Sequence, residues 1–419
     1  MAVRLLAIEG IIGVLHHQRP PDRLLQQARS RLEERRDRAL LHRLIAGVLR
    51  HHFTLEADWS RFVRRKPDPV ARAGLLLGTL QLRRLQIADH AAIHATVEAV
   101  KQRAPRAGAL VNAVLRKVAA TPPPGRCKPH QRLELPKWLY AHWRDQLGSE
   151  AVASIARAAA DPPPLTVAAR VDRAELIARW RDAGIDARPG ALAPDAILLP
   201  PETDPTALPG WAEGCCTVID QSAQLAALAL PESPGCCLDL CSAPGGKYAL
   251  LHRRMGRTVA LELEPRRLRR WRENRERLRL DGAALVLGDA CRPPFPPGRF
   301  PRIMLDAPCT ASGLLRRHPD VKFLHDTGQI AVLAEQQQRM ITAAAGLLAP
   351  GGLLAYAVCS IHHEENEAVV AAVTDAGGLL PAPLPAPLIP FATGPGMARI
   401  LPGPDRDGFF VALLQRPDE

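Results

Sequence analysis

Cys237-Leu238-Asp239-Leu240-Cys241-Ser242-Ala243-Pro244-Gly245-Gly246-Lys247 reads as a short apolar strand running into a glycine turn. Four further apolar runs of strand length follow it, Thr258 to Leu263, Ala284 to Leu287, Arg302 to Asp306 and Gly352 to Val358, separated by segments with helical spacing. Strands alternating with helices imply a parallel, doubly wound sheet. Asp407 to Leu414 reads as a closing strand, preceded by a proline-rich stretch, Leu380 to Gly396, expected to be structureless. Open α/β sheets hold ligands at the carboxyl ends of their strands. Two of these strands lead directly to cysteines, Cys309 and Cys359.

Upstream the pattern is different. Asp22 to Arg36, Arg38 to Leu55, Pro69 to Leu85, Ala91 to Arg103 and Ala107 to Ala119 repeat apolar residues at three- and four-residue spacing, as in Leu40, Leu41, Leu44, Val48 and Leu49. Thr121-Pro-Pro-Pro-Gly125 breaks that pattern, because successive prolines cannot continue a helix. The expected organisation is therefore an all-helical domain over 1–125, a small α/β connector over 135–215, and a doubly wound α/β domain over 216–419. The connector combines a helix from Leu135 to Ala160, a strand at Leu165 to Asp172, a helix at Ala174 to Ala183 and a strand at Ala196 to Leu199.

A net charge of +12 and a pI near 9.7 favour a polyanionic partner, most often nucleic acid. No apolar stretch of eighteen residues and no signal peptide are present, so a cytoplasmic protein without a membrane is expected. The nine cysteines include no C-x-x-C pair, which fits neither a disulfide framework nor a zinc site, and no metal is expected. A monomer is expected.

The glycine turn is neither a Walker loop nor G-x-G-x-x-G. Gly245 and Gly246 permit close approach of the backbone to a ligand. Glu262, about sixteen residues on, stands where an acid can accept from ribose hydroxyls, and Asp289 where one can accept from an exocyclic adenine amine. A loop and two acids at three strand ends favour an adenosine-containing cofactor without a long phosphate chain. The thiols add covalent chemistry. Carbon 5 of a pyrimidine is a poor nucleophile until a thiolate adds to carbon 6, and it must afterwards lose a proton. Asp306, three residues before Cys309, could meet the polar edge of the base.

These residues resemble the RNA cytosine-5 methyltransferases, and within them the bacterial 16S ribosomal RNA cytosine methyltransferase B (Sun or Fmu type) group. Cys241 to Lys247 is similar to that family's cofactor loop, Asp306-Ala-Pro-Cys309-Thr-Ala-Ser-Gly313 to its D-A-P-C-S-[AG]-[TS]-G signature, continuing through Arg316-Arg317-His318-Pro319-Asp320-Val321-Lys322-Phe323. Cys359-Ser360 followed by Glu364-Glu365-Asn366 resembles T-C-S…E-E-N, and Val218 to Gln224 its V-Q-D-x-S-x-Q segment. Asp37-Arg38 to Arg50 and Leu110 to Arg116 resemble the NusB-like RNA-binding domain fused to these enzymes. Val358, Glu262 and Ile219 stand where the family has Thr, Asp and Gln.

The resemblance implies a Rossmann-like class I methyltransferase domain. It implies S-adenosyl-L-methionine on Cys241, Ser242, Ala243, Pro244, Gly245, Gly246 and Lys247 with Glu262, Asp289 and Asp306. Cys359 would attack carbon 6, Cys309 would assist release, and the product would be 5-methylcytosine in RNA, foremost 16S rRNA. Arg50, Arg116 and Lys117 would contact phosphates. Transfer RNA stays open as a substrate, as does a non-catalytic assembly factor. An amino-methyltransferase would carry Asn/Asp-Pro-Pro-Tyr/Phe where this chain has Asp306-Ala-Pro-Cys309.

Overall fold

The structure, a computed structural model, describes residues 2–233 and 235–418, so Met1 and Glu419, the outer ends of the expected first and last domains, lie outside it. The chain divides into two compact units, residues 1–161 with 315–325, and residues 162–314 with 326–419.

The first unit is helical. Its core helix, Pro69–Arg84, contributes eight buried apolar or glycine positions to the packing and starts at an N-cap, Asp68, whose carboxylate accepts from the amides of Val70 and Ala71. A Cβ at Gly74 or Gly78 would overlap Val100 or Leu115, so these glycines set how closely Asp89–Arg103 and Ala107–Ala120 approach. The expected helix at Arg38 to Leu55 is instead two, Arg35–Arg50 and His52–Ser60, and the one from Asp22 stops at Arg31, where Leu32 turns extended and buries its side chain. Ala2–His17 was not anticipated: apolar on nearly every side, it lacks the one-sided stripe that marks a surface helix, because it lies in the core.

The peptide 315–325, far away in sequence, is built into this unit. Arg50 donates to the carbonyls of Arg316 (2.7 Å) and Ala159 (3.2 Å). Lys322 donates to the carbonyls of Glu134 (2.7 Å) and Arg50 (3.2 Å), with the rings of Phe53 and Phe323 beside its ammonium. Burial lowers the Lys322 ammonium to about 8.

The second unit holds two sheets. The smaller is antiparallel, in the order β2-β3-β1-β4, from β1 (Leu165–Ala169), β2 (Arg188–Pro189), β3 (Ala196–Leu199) and β4 (Cys216–Val218), with Leu176, Ile177 and Trp180 of helix Arg173–Asp182 in its core. Cys216–Val218, expected to open the third domain, is thus the edge of the connector's sheet, and helix Lys137–Ala159 clusters with the helical unit.

The larger sheet contains β5 (Cys237–Leu240), β6 (Thr258–Glu262), β7 (Ala284–Leu287), β8 (Phe300–Asp306), β9 (Leu348–Val358), β10 (Leu380–Pro381), β11 (Ala392–Gly394), β12 (Met397–Ile400) and β13 (Phe409–Gln415). Its order is β11-β12-β13-β9-β8-β5-β6-β7, with β10 also on β13. The five strands β9 to β7 are parallel, as expected; β10 to β13 are antiparallel, so the sheet is mixed. Strand alternation separates its faces: Met304, Ala355 and Ala357 join Leu250 and Leu251, while Ile303, Leu305, Leu354, Tyr356 and Val358 join Ile341, Ala344 and Val369 on the other side. Apolar packing on both faces is what a doubly wound sheet requires. The stretch Leu380 to Gly396, expected to be structureless, carries two short strands and a 3-10 turn, Ala386–Phe391, because Leu388 is fully buried in the core and the flanking backbone pairs with β13 and β12.

The chain winds outward from β5 through β6 to β7, then crosses back to β8 on the other side of β5. That reversal makes the β5/β8 boundary the topological switch point, where such sheets open a crevice.

Candidate active site

A cleft opens at that boundary, lined by Cys241, Ser242, Ala243, Pro244, Gly246 and Lys247 of the loop after β5, by Asp306 at the end of β8, by Asp239 within β5, and by Val218 and Ile219. Lys247, in the first turn of helix Gly246–Met255, reaches across the switch point to Asp306 at 2.7 Å, with the Phe409 ring 4.8 Å from its ammonium. Gly245 takes a left-handed φ of 99°, and a Cβ there would stand 3.1 Å from the Trp271 ring, so the turn needs glycine on both counts.

The loop is braced from behind. Trp271 donates to the Ser242 hydroxyl (3.1 Å), Asn274 to the Pro244 carbonyl (2.9 Å) and Arg267 to the Ala243 carbonyl (2.8 Å). Glu262, buried at the end of β6, accepts from the amides of Ala243 (3.0 Å) and Glu264 (3.1 Å). Asp289, just past β7, accepts from the Cys291 amide at 2.8 Å. Asp306, the loop, Glu262 and Asp289 therefore stand at four successive strand ends; the loop and Asp306 line the cleft, while Glu262 and Asp289 do not.

Asp239 carried no assigned role in the sequence. It is 1% exposed, and neither carboxyl oxygen has a hydrogen-bond partner among the described residues. Burial pushes its carboxyl up to about 7, with Ser242 and Lys247 opposing and the carboxylates of Asp306 and Glu262 adding to the rise. A buried carboxyl without a donor is costly unless something supplies one. Its sequence signal is a lone acid inside an otherwise apolar strand.

The two thiols meet. Cys309 and Cys359, after the paired ends of β8 and β9, have sulfurs 3.4 Å apart. The Cys309 thiol is pushed well above its ordinary value, first by the hydrogen bond to Cys359, then by burial and by the charges of Cys359 and Glu365. Cys309 accordingly keeps its proton beside Cys359.

Glu365, fully buried, ties the two cysteine loops together. It accepts from the Thr310 amide (2.9 Å), from the hydroxyls of Thr310 and Ser360, and from the Gln337 amide (3.0 Å). Thr310 follows Cys309 and Ser360 follows Cys359, so one carboxylate holds both neighbours. Gln337 also donates to the Pro308 carbonyl (2.8 Å), Gly313 donates to the Cys359 carbonyl (2.9 Å), and Ser312 lies 3.1 Å from Ser360. Glu365 stood in the sequence only as part of a motif; besides Ser360, its partners Thr310 and Gln337 come from a loop and a helix more than 25 residues away.

Val358 is fully buried in the apolar cluster and pairs across the sheet with Phe410. Of the residues expected on RNA, Arg116 and Lys117 are exposed on helix Ala107–Ala120. Arg50 is not: it is 8% exposed, with its guanidinium committed to two carbonyls, which corrects its assignment to phosphate contact.

Residues 226–415 match the family described as 16S rRNA methyltransferase RsmB/F, residues 1–120 the NusB family, and residues 135–204 the ferredoxin-like domain of Methyltr_RsmF/B-like proteins. A ribosomal RNA small subunit methyltransferase B from Vibrio cholerae is 36% identical, covering 99% of this chain and 98% of that protein; one from Pseudomonas syringae pv. tomato is 37% identical, covering 89% and 86%. Among solved structures, PH0851 superposes with a TM-score of 0.82 at 21% identity, covering 98% of this chain and 99% of its own. NSun6 from Pyrococcus horikoshii with SFG superposes with a TM-score of 0.59 at 20% identity, covering 68% and 98%. These structures share the fold. No helix among the described residues is long and apolar enough to cross a membrane.

Proposed function

The chain belongs to the 16S rRNA methyltransferase RsmB/F family, and from that premise we propose that it methylates carbon 5 of a cytosine in 16S ribosomal RNA, in the cytoplasm, with S-adenosyl-L-methionine as donor. The observation that carries the reading is the pair of sulfurs 3.4 Å apart at adjacent strand ends, beside a cleft at the switch point of the sheet.

The cleft fits the cofactor on its own evidence. Asp239 turns a buried carboxyl without a donor toward it, matching a ligand that carries positive charge, and Ser242 to Lys247 approach it with backbone. Glu262 and Asp289, at the next two strand ends, would extend the site toward a ribose and an adenine. Bound there, S-adenosylmethionine supplies an electrophilic methyl group.

The protein's residues supply the rest. The Cys359 thiolate adds to carbon 6 of the cytosine, forming a carbon–sulfur bond while the π pair of the carbon 5–carbon 6 double bond moves toward carbon 5. Asp306, oriented by Lys247, faces the polar edge of the base. Carbon 5 must then lose its proton before the carbon–sulfur bond breaks. The hydrogen bond to Cys359 is the first cause of the raised Cys309 value, so once Cys359 is spent in the adduct the Cys309 thiol can give its proton to water, and the thiolate then takes the proton from carbon 5 as the carbon–sulfur bond breaks. The target base must leave its stack to reach the thiols, at a cost of a few kcal/mol. Arg116 and Lys117, exposed on the helical unit, would supply positive charge for RNA phosphates.

The test is incubation of the purified protein with unmodified 16S rRNA and methyl-labelled S-adenosylmethionine, followed by nucleoside analysis. 5-Methylcytidine is expected. Label on an exocyclic amine, or none, would overturn the reading, and transfer RNA as a parallel substrate decides between the two RNAs.

A further inference from the structure

Sixteen residues, Glu264 to Arg279, contain eight arginines and three glutamates, a net of +5 on a chain whose total is +12. They form the helix Leu268–Arg277 with the short turn before it and the residues just after. Leu268 and Trp271 face the core, and Arg277 turns back over Trp211 to donate to the carbonyls of Trp211 (3.1 Å) and Cys216 (2.9 Å). Helical spacing turns Arg269 and Arg270 away from that buried pair, with Arg272 on the flank and Arg266 in the short turn ahead of the helix. All four are exposed. Arg269 lies 3.5 Å from Glu273 in an exposed pair of little worth, and the guanidinium groups of Arg266, Arg270 and Arg272 have no partner among the described residues.

Four like charges on one face repel one another and do nothing for the fold. A polyanion relieves that repulsion, and guanidinium forks match phosphate oxygens in particular. The inner side of the same segment holds the cofactor loop through Arg267, Trp271 and Asn274. We propose that the outer face of this helix is a phosphate-binding surface of the catalytic unit, formed by Arg266, Arg269, Arg270 and Arg272, which grips the backbone of the substrate RNA beside the cleft. It rests on the proposed RNA methyltransferase activity and adds to it a surface outside the helical unit.

Binding of the full-length protein to 16S rRNA fragments, measured between 50 and 300 mM salt, tests this against the variant carrying R266Q, R269Q, R270Q and R272Q together. Each phosphate neutralised contributes roughly 0.7–0.9 to the slope of log K against log salt, so the variant's slope should be shallower by about 2 or more. Its affinity for S-adenosylhomocysteine and its melting temperature should match the wild type, since none of the four touches the loop or the core. An unchanged slope with wild-type RNA binding intact would overturn the surface alone. Failure of the wild type to bind RNA would overturn the activity reading, and the surface with it. Loss of binding to anionic phosphatidylglycerol vesicles with RNA binding unaltered would assign the face to a lipid surface and refute the proposal.

Discussion

The two halves of the candidate site are built on opposite electrostatic plans. Beside the thiols the buried acid is answered: Glu365 is fully buried and takes four donors, and those donors fix the residues next to Cys309 and Cys359. In the cleft Asp239 is equally buried, but neither carboxyl oxygen has a partner at ordinary hydrogen-bond distance among the described residues, and only the Ser242 hydroxyl and the Lys247 charge favour its ionised form. A satisfied network rigidifies, whereas an orphaned carboxyl stores a cost that a cationic ligand removes on arrival. On the proposed reading, the nucleophile's neighbourhood is organised before substrate arrives, and the cofactor's neighbourhood is completed by its ligand.

The contrast is open to attack, most forcefully at Glu365. Glu365→Ala would strand four donors in the interior, at about 1–3 kcal/mol each before relaxation. The expected result is a melting temperature lower by several degrees and methyl transfer down by about 100-fold or more, with Glu365→Gln between it and the wild type. Wild-type kinetics and stability in Glu365→Ala would show the network to be incidental.

Next in size is Cys309→Ala. Loss of a proton acceptor costs typically 10²–10⁴ in rate, so turnover should fall by about 100-fold while a covalent RNA complex accumulates. Rapid turnover without a trapped complex would remove Cys309 from the release step.

On the cleft side, Asp239→Asn should weaken S-adenosylhomocysteine binding about tenfold by titration calorimetry, the worth of one charge-assisted hydrogen bond. The same substitution should stabilise the protein as pH rises. The native carboxyl is raised to about 7 from an ordinary value near 3.9, so the folded state resists its ionisation. That penalty is absent below about pH 4, grows between about pH 4 and 7 and is complete above. The melting-temperature advantage of Asp239→Asn should therefore be larger at pH 8 than at pH 5. Unchanged affinity and a pH-independent difference would place Asp239 with the satisfied groups.

The smallest effect is expected at Val358. Val358→Thr would bury a hydroxyl in an apolar cluster, lowering stability by roughly 1–3 kcal/mol and leaving the methylation rate of the folded enzyme within about twofold. A rate gain would mean that this position does act on the nucleophile.

What the sequence made legible was local. The strand ends, the glycine turn and both thiols follow from apolar runs and punctuation, and these carry β5, β6, β7, β8 and β9 within a few residues. What it concealed depends on distant partners. Ala2–His17 has no one-sided stripe because the core surrounds it, and Arg50 looks like a surface cation until Arg316, 266 residues away, supplies the carbonyl it binds. Glu365 stands in the polar run His362-His363-Glu364-Glu365-Asn366 and Asp239 inside an apolar strand, and only the fold shows that both are buried and that the first meets four donors at ordinary hydrogen-bond distance while the second meets none there. The antiparallel edge, β10 to β13, takes in the proline-rich stretch, whose order comes from burial of Leu388 and pairing with β13 and β12, all long-range facts.

The central claim is that the two adjacent thiols have different tasks, and covalent trapping tests it most directly. RNA containing 5-fluorocytosine at the target position cannot release a proton from carbon 5, so the adduct should persist. Mass spectrometry of the trapped peptide should find the RNA on Cys359 in the wild type and in Cys309→Ala, and no adduct in Cys359→Ala. An adduct on Cys309, or one that survives in Cys359→Ala, would contradict the account.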